Sequence, residues 1–279
     1  MMNPYARRLV AFAFAILLMG GLAGCAEKLR ELPLDLKDIP GIPPALLELP
    51  GLLDELGLPD LSQVADLPLL DELPLSAPEP GALVYRGPTE RRLGVGERIP
   101  GTDIALVSID DDGAEFRVAG LRSVRMVGDS LDYDGDWRGA QGLGYNLRLR
   151  IYRIGADHVR AAGVHQLTVR AADPQPAAVA MGDAVAMGGH VMHFPVVMSL
   201  VRGDAIEGTT FGYAGAEERG ARLSGLPEGD YPFRKLGDSI RWRGTLRSGV
   251  SAEYNLRLLY YGNDEARIGG TVGVAIAPE

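Results

Sequence analysis

Tyr145-Asn146-Leu147-Arg148-Leu149-Arg150-Ile151 sets Tyr145, Leu147, Leu149 and Ile151 on one side of an extended chain and Asn146, Arg148 and Arg150 on the other. A period of two marks a strand with one buried and one solvated face. The first five of these residues return as Tyr254-Asn255-Leu256-Arg257-Leu258, and Gly128-Asp129-Ser130 returns as Gly237-Asp238-Ser239, with the same interval between the copies in both cases. Gly101-Thr102 with Gly208-Thr209, Gly120-Leu121 with Gly225-Leu226 and Gly163 with Gly270 extend the correspondence, with small changes of spacing. Self-similarity of this kind implies two copies of one unit.

Further strands are predicted around Thr102 to Ile109, Ala114 to Ala119, Ser130 to Arg138 and Val164 to Arg170. Turn-forming residues separate them: Asp110-Asp111-Asp112-Gly113, the glycine-rich run from Gly139 to Gly144, and Gly155-Ala156-Asp157. No segment after residue 81 sustains a 3.6-residue period. The expected fold is all-β: two tandem copies of a roughly five-stranded antiparallel meander, closing one barrel or forming two small barrels or sandwiches. In the second copy Tyr254, Leu256, Leu258 and Tyr260 face inward, but the opposite face ends in Leu259 and Tyr261, which predicts that something covers that end.

The amino terminus carries Arg7 and Arg8, an apolar stretch from Leu9 to Leu18, and then Leu22-Ala23-Gly24-Cys25. The apolar core is too short to span a hydrocarbon layer of roughly 30 Å, and small residues follow it, so an export signal that is removed is expected. Leu-Ala-Gly-Cys directly after such a signal, on the only cysteine of the chain, resembles the lipobox of bacterial lipoproteins. The resemblance implies a diacylglyceryl thioether and an N-acyl group on Cys25, with cleavage before it and attachment to the membrane through lipid. Ala26, where an Asp would favour inner-membrane retention in such proteins, implies transfer to the outer membrane. With Cys25 so used, the mature chain has no thiol nucleophile, cysteine zinc site or disulfide, and its stability must come from a hydrophobic core.

The formal charge of -9 has a location. Between Ala26 and Pro80 twelve acids face three bases, so the residues from Gly81 onward are nearly neutral. That excludes a basic nucleic-acid-binding surface. The acidic stretch mixes leucine, proline and carboxylates; its prolines break long helices and predict a spacer, while its leucines predict docking of some pieces on a partner or on the β body. The expected layout is a signal over 1–24, a lipidated terminus and tether over 25–80, a first β unit over 81–172, a connector over 173–196 and a second unit over 197–279.

Several motifs bear on chemistry. Gly128-Asp129-Ser130-Leu131 resembles the nucleophile block of GDSL esterases, and an envelope hydrolase using Ser130 is the alternative function it implies. The Asp-x-x-His that serves the serine in that family is missing from the chain, and the duplicated Gly237-Asp238-Ser239 predicts a recurring turn. Asp132, Asp134 and Asp136 alternate as calcium ligands could, without the order of an EF-hand loop. Met181, Met187, His190, Met192, His193 and Met198 combine donors suited to copper, or pack a joint. His158 and His165 are expected to be structural. Arg148 and Arg257 could bind an anionic ligand, or pair with acids on a solvated face. With no coherent catalytic set, the expected function is a non-enzymatic ligand-binding or scaffold module at the outer membrane, without a cofactor beyond the lipid, binding an envelope protein or an apolar or anionic ligand. A hollow interior would favour an apolar ligand; a filled one, a protein partner.

Overall fold

The computed structural model describes Leu75, Ala77, residues 79–178, Met181, Val185 and residues 188–278. The signal, Cys25, most of the tether and Met187 lie outside the described residues. The strands of the first half are β1 (Leu83–Gly94), β2 (Ala105–Asp110), β3 (Gly113–Val118), β4 (Leu121–Arg125), β5 (Ser130–Asp136), β6 (Leu143–Ile154) and β7 (His158–Val169). A short β8 (Gln175–Pro176) follows, then β9 (His190–Val201), β10 (Gly212–Glu217), β11 (Gly220–Ser224), β12 (Phe233–Arg234), β13 (Ser239–Arg247), β14 (Val250–Tyr261) and β15 (Glu265–Ile276). The chain is all-β, and all its strand pairs are antiparallel.

Two sheets are large. One runs β1-β7-β6-β5 and the other β8-β13-β14-β15-β9; β2-β3-β4 and β10-β11-β12 form two smaller ones. Among the described residues no sheet closes on itself, so the barrel expected from the sequence gives way to open sheets with edges. Edge position explains two prolines inside long strands. Pro88 of β1 and Pro195 of β9 each lie in a strand paired on one side only, where the missing amide costs no ladder bond.

The turns have specific locks. Thr102 donates its hydroxyl to the Ile99 carbonyl (2.9 Å) and accepts from the Ile104 amide (3.1 Å); Thr209 does the same with Ile206 (2.9 Å) and Phe211 (3.0 Å). The Gly94 amide donates to the Glu97 carboxylate, and the Val201 amide to that of Asp204, both at 2.8 Å. Asp129 accepts from the Met126 amide and Asp238 from that of Lys235. Gly128 and Gly237, at φ of 94° and 83°, occupy the left-handed region and donate to the Ile151 and Leu258 carbonyls.

Those last bonds reveal a slip. The interval from Ile151 to Leu258 is shorter by two positions than the interval from Tyr145 to Tyr254. The ladder agrees: Leu147 pairs with His165 in the first sheet and Tyr254 with Val272 in the second, again at the shorter interval. Residues 137–142 join β5 to β6, while residues 248–249 suffice between β13 and β14. An even slip along a strand leaves every side chain on its original face, so the pattern survives although the rungs differ.

The strand set is also larger than the sequence predicts. β1 and β4 were not expected, and β9 begins at His190, inside the stretch 173–196 read as a connector. Inward side chains of both large sheets join one contiguous core that includes Tyr85, Phe116, Tyr145, Leu149, Phe194, Tyr254 and Val272.

Candidate functional site

The two large sheets meet where β1 passes β9. Gly87 is the point of approach: a β-carbon there would lie 2.9 Å from Cδ of Pro195. Around this crossing the inward faces carry aromatic and imidazole rings in a continuous series. His190 stacks on Trp137 with ring centres 5.6 Å apart, Trp137 meets Tyr145 edge-on at 4.9 Å, and Tyr145 meets His165 at 6.1 Å. His165 then stacks on Phe194 at 4.6 Å, Phe194 packs on Tyr85 at 5.6 Å, and Tyr85 reaches Tyr254. The Tyr85 and Tyr254 hydroxyls share a buried hydrogen bond of 2.6 Å. Burial pushes both phenols up, so neither ionises in the neutral range.

One end of this series is polar. A guanidinium N–H of Arg91, on β1, donates to the Tyr145 hydroxyl at 3.4 Å, and that hydroxyl lies 3.4 Å from Nδ1 of His165. The phenol oxygen accepts from Arg91, and whether it donates to His165 Nδ1 or accepts from it follows the imidazole tautomer. His165 Nε2, His190 Nε2 and Arg91 Nε are all buried without a hydrogen-bond partner. The Nε atoms of Arg125, Arg160 and Arg247 share this state, so it does not by itself distinguish the ring series.

Both imidazoles are neutral. Burial, reinforced by the Arg91 charge and by His190, takes His165 from an ordinary value of 6.5 to about 3. Burial and Arg91 take His190 to about 4.

The residues singled out from the sequence fall elsewhere, His190 and His165 excepted. Arg148, largely buried, donates to the Asp134 carboxylate (2.8 Å) and to the Leu147 and Tyr133 carbonyls. Arg257 donates to the Gly237 carbonyl (2.9 Å) and the Ser239 hydroxyl (3.3 Å). Both guanidiniums are therefore engaged by the protein itself. The three aspartates of β5 face a row of arginines: Asp132 with Arg150, Asp134 with Arg148, Asp136 with Arg170. Burial opposes ionisation of Asp134, but its hydrogen bonds from Arg148 and Asn146 prevail and hold it below the usual range. Among the described residues no three His, Cys, Asp or Glu side chains stand close enough to hold a metal ion.

Ser130 opens β5 opposite Arg150, after the turn that Asp129 locks. It lines a surface hollow of about 130 Å³ with Ile104, Val118, Arg125, Leu131 and Asp132, and that hollow contains no histidine. A second, polar hollow of about 260 Å³ lies between Glu79, Asp134, Asp136, Asn146, Thr168 and Arg170. On β9, His190 and Met192 turn inward while His193 is exposed, so the Met/His stretch divides between two faces. His158 pairs with Asp157 at 2.6 Å near the surface.

Arg91 is the site residue that sequence reasoning missed. It lies in Leu83–Gly94, whose inward row includes Gly87, Thr89 and Arg91, too polar to register as a strand face. Comparison of the chain with protein-family models, with curated proteins and with solved structures finds no match. Its function must therefore be read from the residues themselves.

Proposed function

We propose that this chain is a non-enzymatic lipoprotein of the cell envelope, lipidated on Cys25 and held at the outer membrane, whose β body recognises a protein partner through its outer surface. The observation that carries this reading is the contiguous side-chain core: the inward faces of both sheets are filled by their own aromatic and aliphatic residues rather than arranged around a ligand chamber. Filled interiors leave recognition of a partner to the surface. There, Leu121, Val124, Met126 and Val127, on edge strand β4 and the turn after it, are each more than half exposed. Grouped apolar side chains on an open sheet edge suit association with another protein.

In this proposal the body is two copies of one unit. Support comes from the threonine and carboxylate turn locks, from Pro88 and Pro195 on edge strands at the same interval as the paired rungs, and from the like register of β1 with β7 and β9 with β15. The lipid supplies the address and the tether the distance.

The test combines fractionation with native mass spectrometry. Cys25→Ser is expected to move the protein from the membrane fraction into solution, where its mass should equal that of the polypeptide alone. Retention of the variant in the membrane would remove the anchor. A stoichiometric lipid that stays with the soluble variant would remove surface recognition in favour of an enclosed apolar ligand.

A further inference from the structure

The two large sheets have corresponding strand orders but for one member. β5-β6-β7-β1 parallels β13-β14-β15-β9, and only the second sheet continues, with β8 on the outer side of β13. There Gln175 pairs with Thr245 and Pro176 with Gly244. The Asp173 amide donates to the Leu246 carbonyl (2.7 Å) and the Ala177 amide to that of Arg243 (3.2 Å). A β-carbon on Gly244 would lie 2.2 Å from the Gln175 carbonyl oxygen, so the two backbones are in close contact. Gly135 of β5 precedes Gly244 by the interval that separates Gly128 from Gly237. Among the described residues no strand pairs with the outer edge of β5, and the nearest atoms to a β-carbon on Gly135 belong to the Tyr133 phenol. Such an edge presents unpaired amides and carbonyls that folded proteins tend to cover.

The sequence names an occupant. Ala172-Asp173, just before β8, recurs as Ala65-Asp66 at the interval that separates Pro88 from Pro195. The same interval sets Pro68-Leu69 in the place of Gln175-Pro176, and it makes residues 70–82, which lead to β1, equal in length to residues 177–189, which lead to β9. Proline is no obstacle, because an edge strand bonds on one side only and β8 itself contains Pro176. The chain entering β1 also comes from the matching place. Ala77 and Glu79 line one hollow with Asp134, Gly135 and Asp136, and Glu79 holds Arg170 at 2.9 Å, the arginine that also pairs with Asp136.

Resting on the two-copy reading of the body, we propose that residues 68–70 of the tether, which lie outside the described residues, add as an antiparallel strand to the free edge of β5, with Pro68 opposite Asp136 and Leu69 opposite Gly135. The spacer then ends before Pro68, and the body closes one of its own open edges against strand addition by other molecules.

The experiment uses the full mature chain in detergent, where lipid on Cys25 leaves introduced cysteines as the only thiols. Pro68→Cys with Asp136→Cys is expected to form an intramolecular disulfide on mild oxidation, as should Gln175→Cys with Thr245→Cys, the rung that the structure shows; directly opposed strand residues have the separation a disulfide needs. The first pair should close at least roughly tenfold faster than Pro68→Cys with Asp111→Cys, which only random encounter would join. In the unsubstituted chain, amides of residues 134–136 should exchange hydrogen within about tenfold of the rate for residues 243–245, whose outer edge β8 covers. Closure of the 175/245 pair alone overturns the tether strand without touching the duplication, which rests on the turn locks and strand orders. Disulfides between molecules would give the β5 edge to a second copy and overturn it too, as would amides in 134–136 that exchange at the rate of an open edge. A free Cys25 thiol in the parent's mass would instead count against the anchor.

Discussion

At the scale of single residues, the molecule stores an acid sensitivity in His165. A neutral imidazole of folded pKa about 3, against about 6.5 in the unfolded chain, takes up its proton more readily once unfolded. Its contribution to stability is therefore complete above pH 6.5 and is lost progressively as pH falls from there toward 3; His190 acts in the same direction. Arg91, Tyr145 and His190 are the titratable groups that surround it. The paired carboxylate Asp134, held low by Arg148 and Asn146, loses its contribution only in more acid solution. His165→Phe, which can still stack on Phe194, should keep its urea midpoint between pH 7 and pH 5 better than the parent does. Equal losses in the two proteins would show that the buried imidazole does not control this response. The strand that carries His165 was legible in the sequence. Its partners were not: Tyr145 lies 20 residues away, and Phe194 and His190 belong to the other sheet. Arg148 and Arg257 were read on a solvated face, whereas the fold leaves Arg148 largely buried and shows that each guanidinium is already engaged.

At the scale of elements, alternation identified strands whose inward row is apolar and failed where it is not. β6 and β14 announce themselves through Leu, Ile and Tyr, whereas β1 presents Gly87, Thr89 and Arg91 inward and contains Pro88. β4 escapes for the opposite reason, since its large apolar residues Leu121 and Val124 face solvent on an edge. Two glycines matched in sequence have a clear structural requirement. A β-carbon on Gly163 would collide with the Arg148 carbonyl of the adjoining strand, and one on Gly270 with the Asn255 carbonyl. Both contacts are with backbone in a paired strand, so neither can relax by turning a side chain. Gly163→Ala and Gly270→Ala should each destabilise by about 2–3 kcal/mol, the cost of forcing an extra methyl into packed surroundings. Gly139→Ala makes a useful comparison: its β-carbon would meet nothing within 4 Å, and its penalty comes from a positive φ alone. Chemical denaturation of the three variants decides the matter, and a Gly163→Ala protein as stable as the parent would show that β6 and β7 leave room for the methyl.

At the scale of the whole molecule, the question is whether the two halves of the β body make one folding unit or two. Each half has a large sheet and a small one, which would suffice for separate cores. Yet the inward rings run without interruption from Trp137 to Trp242 through Tyr145, His165, Phe194, Tyr85 and Tyr254, crossing between sheets at His165–Phe194, at Phe194–Tyr85 and again at Tyr85–Tyr254. Arg247, next to the turn between β13 and β14, adds a polar clasp by donating to the Gly142 and Arg170 carbonyls of the first half. Separating the halves would expose these rings and leave the Tyr85 and Tyr254 hydroxyls unpaired, an unfavourable change on both counts. Unfolding should therefore be cooperative across both halves. The two tryptophans offer one reporter on each side: Trp242→Phe leaves Trp137 to report on the first half, and Trp137→Phe leaves Trp242 to report on the second. With each midpoint corrected for the variant's own change in stability by circular dichroism, the fluorescence and dichroism transitions should coincide in both proteins. A Trp242 transition well separated from the loss of total β signal would mean that the halves unfold independently and that the ring series is a contact surface rather than a shared core.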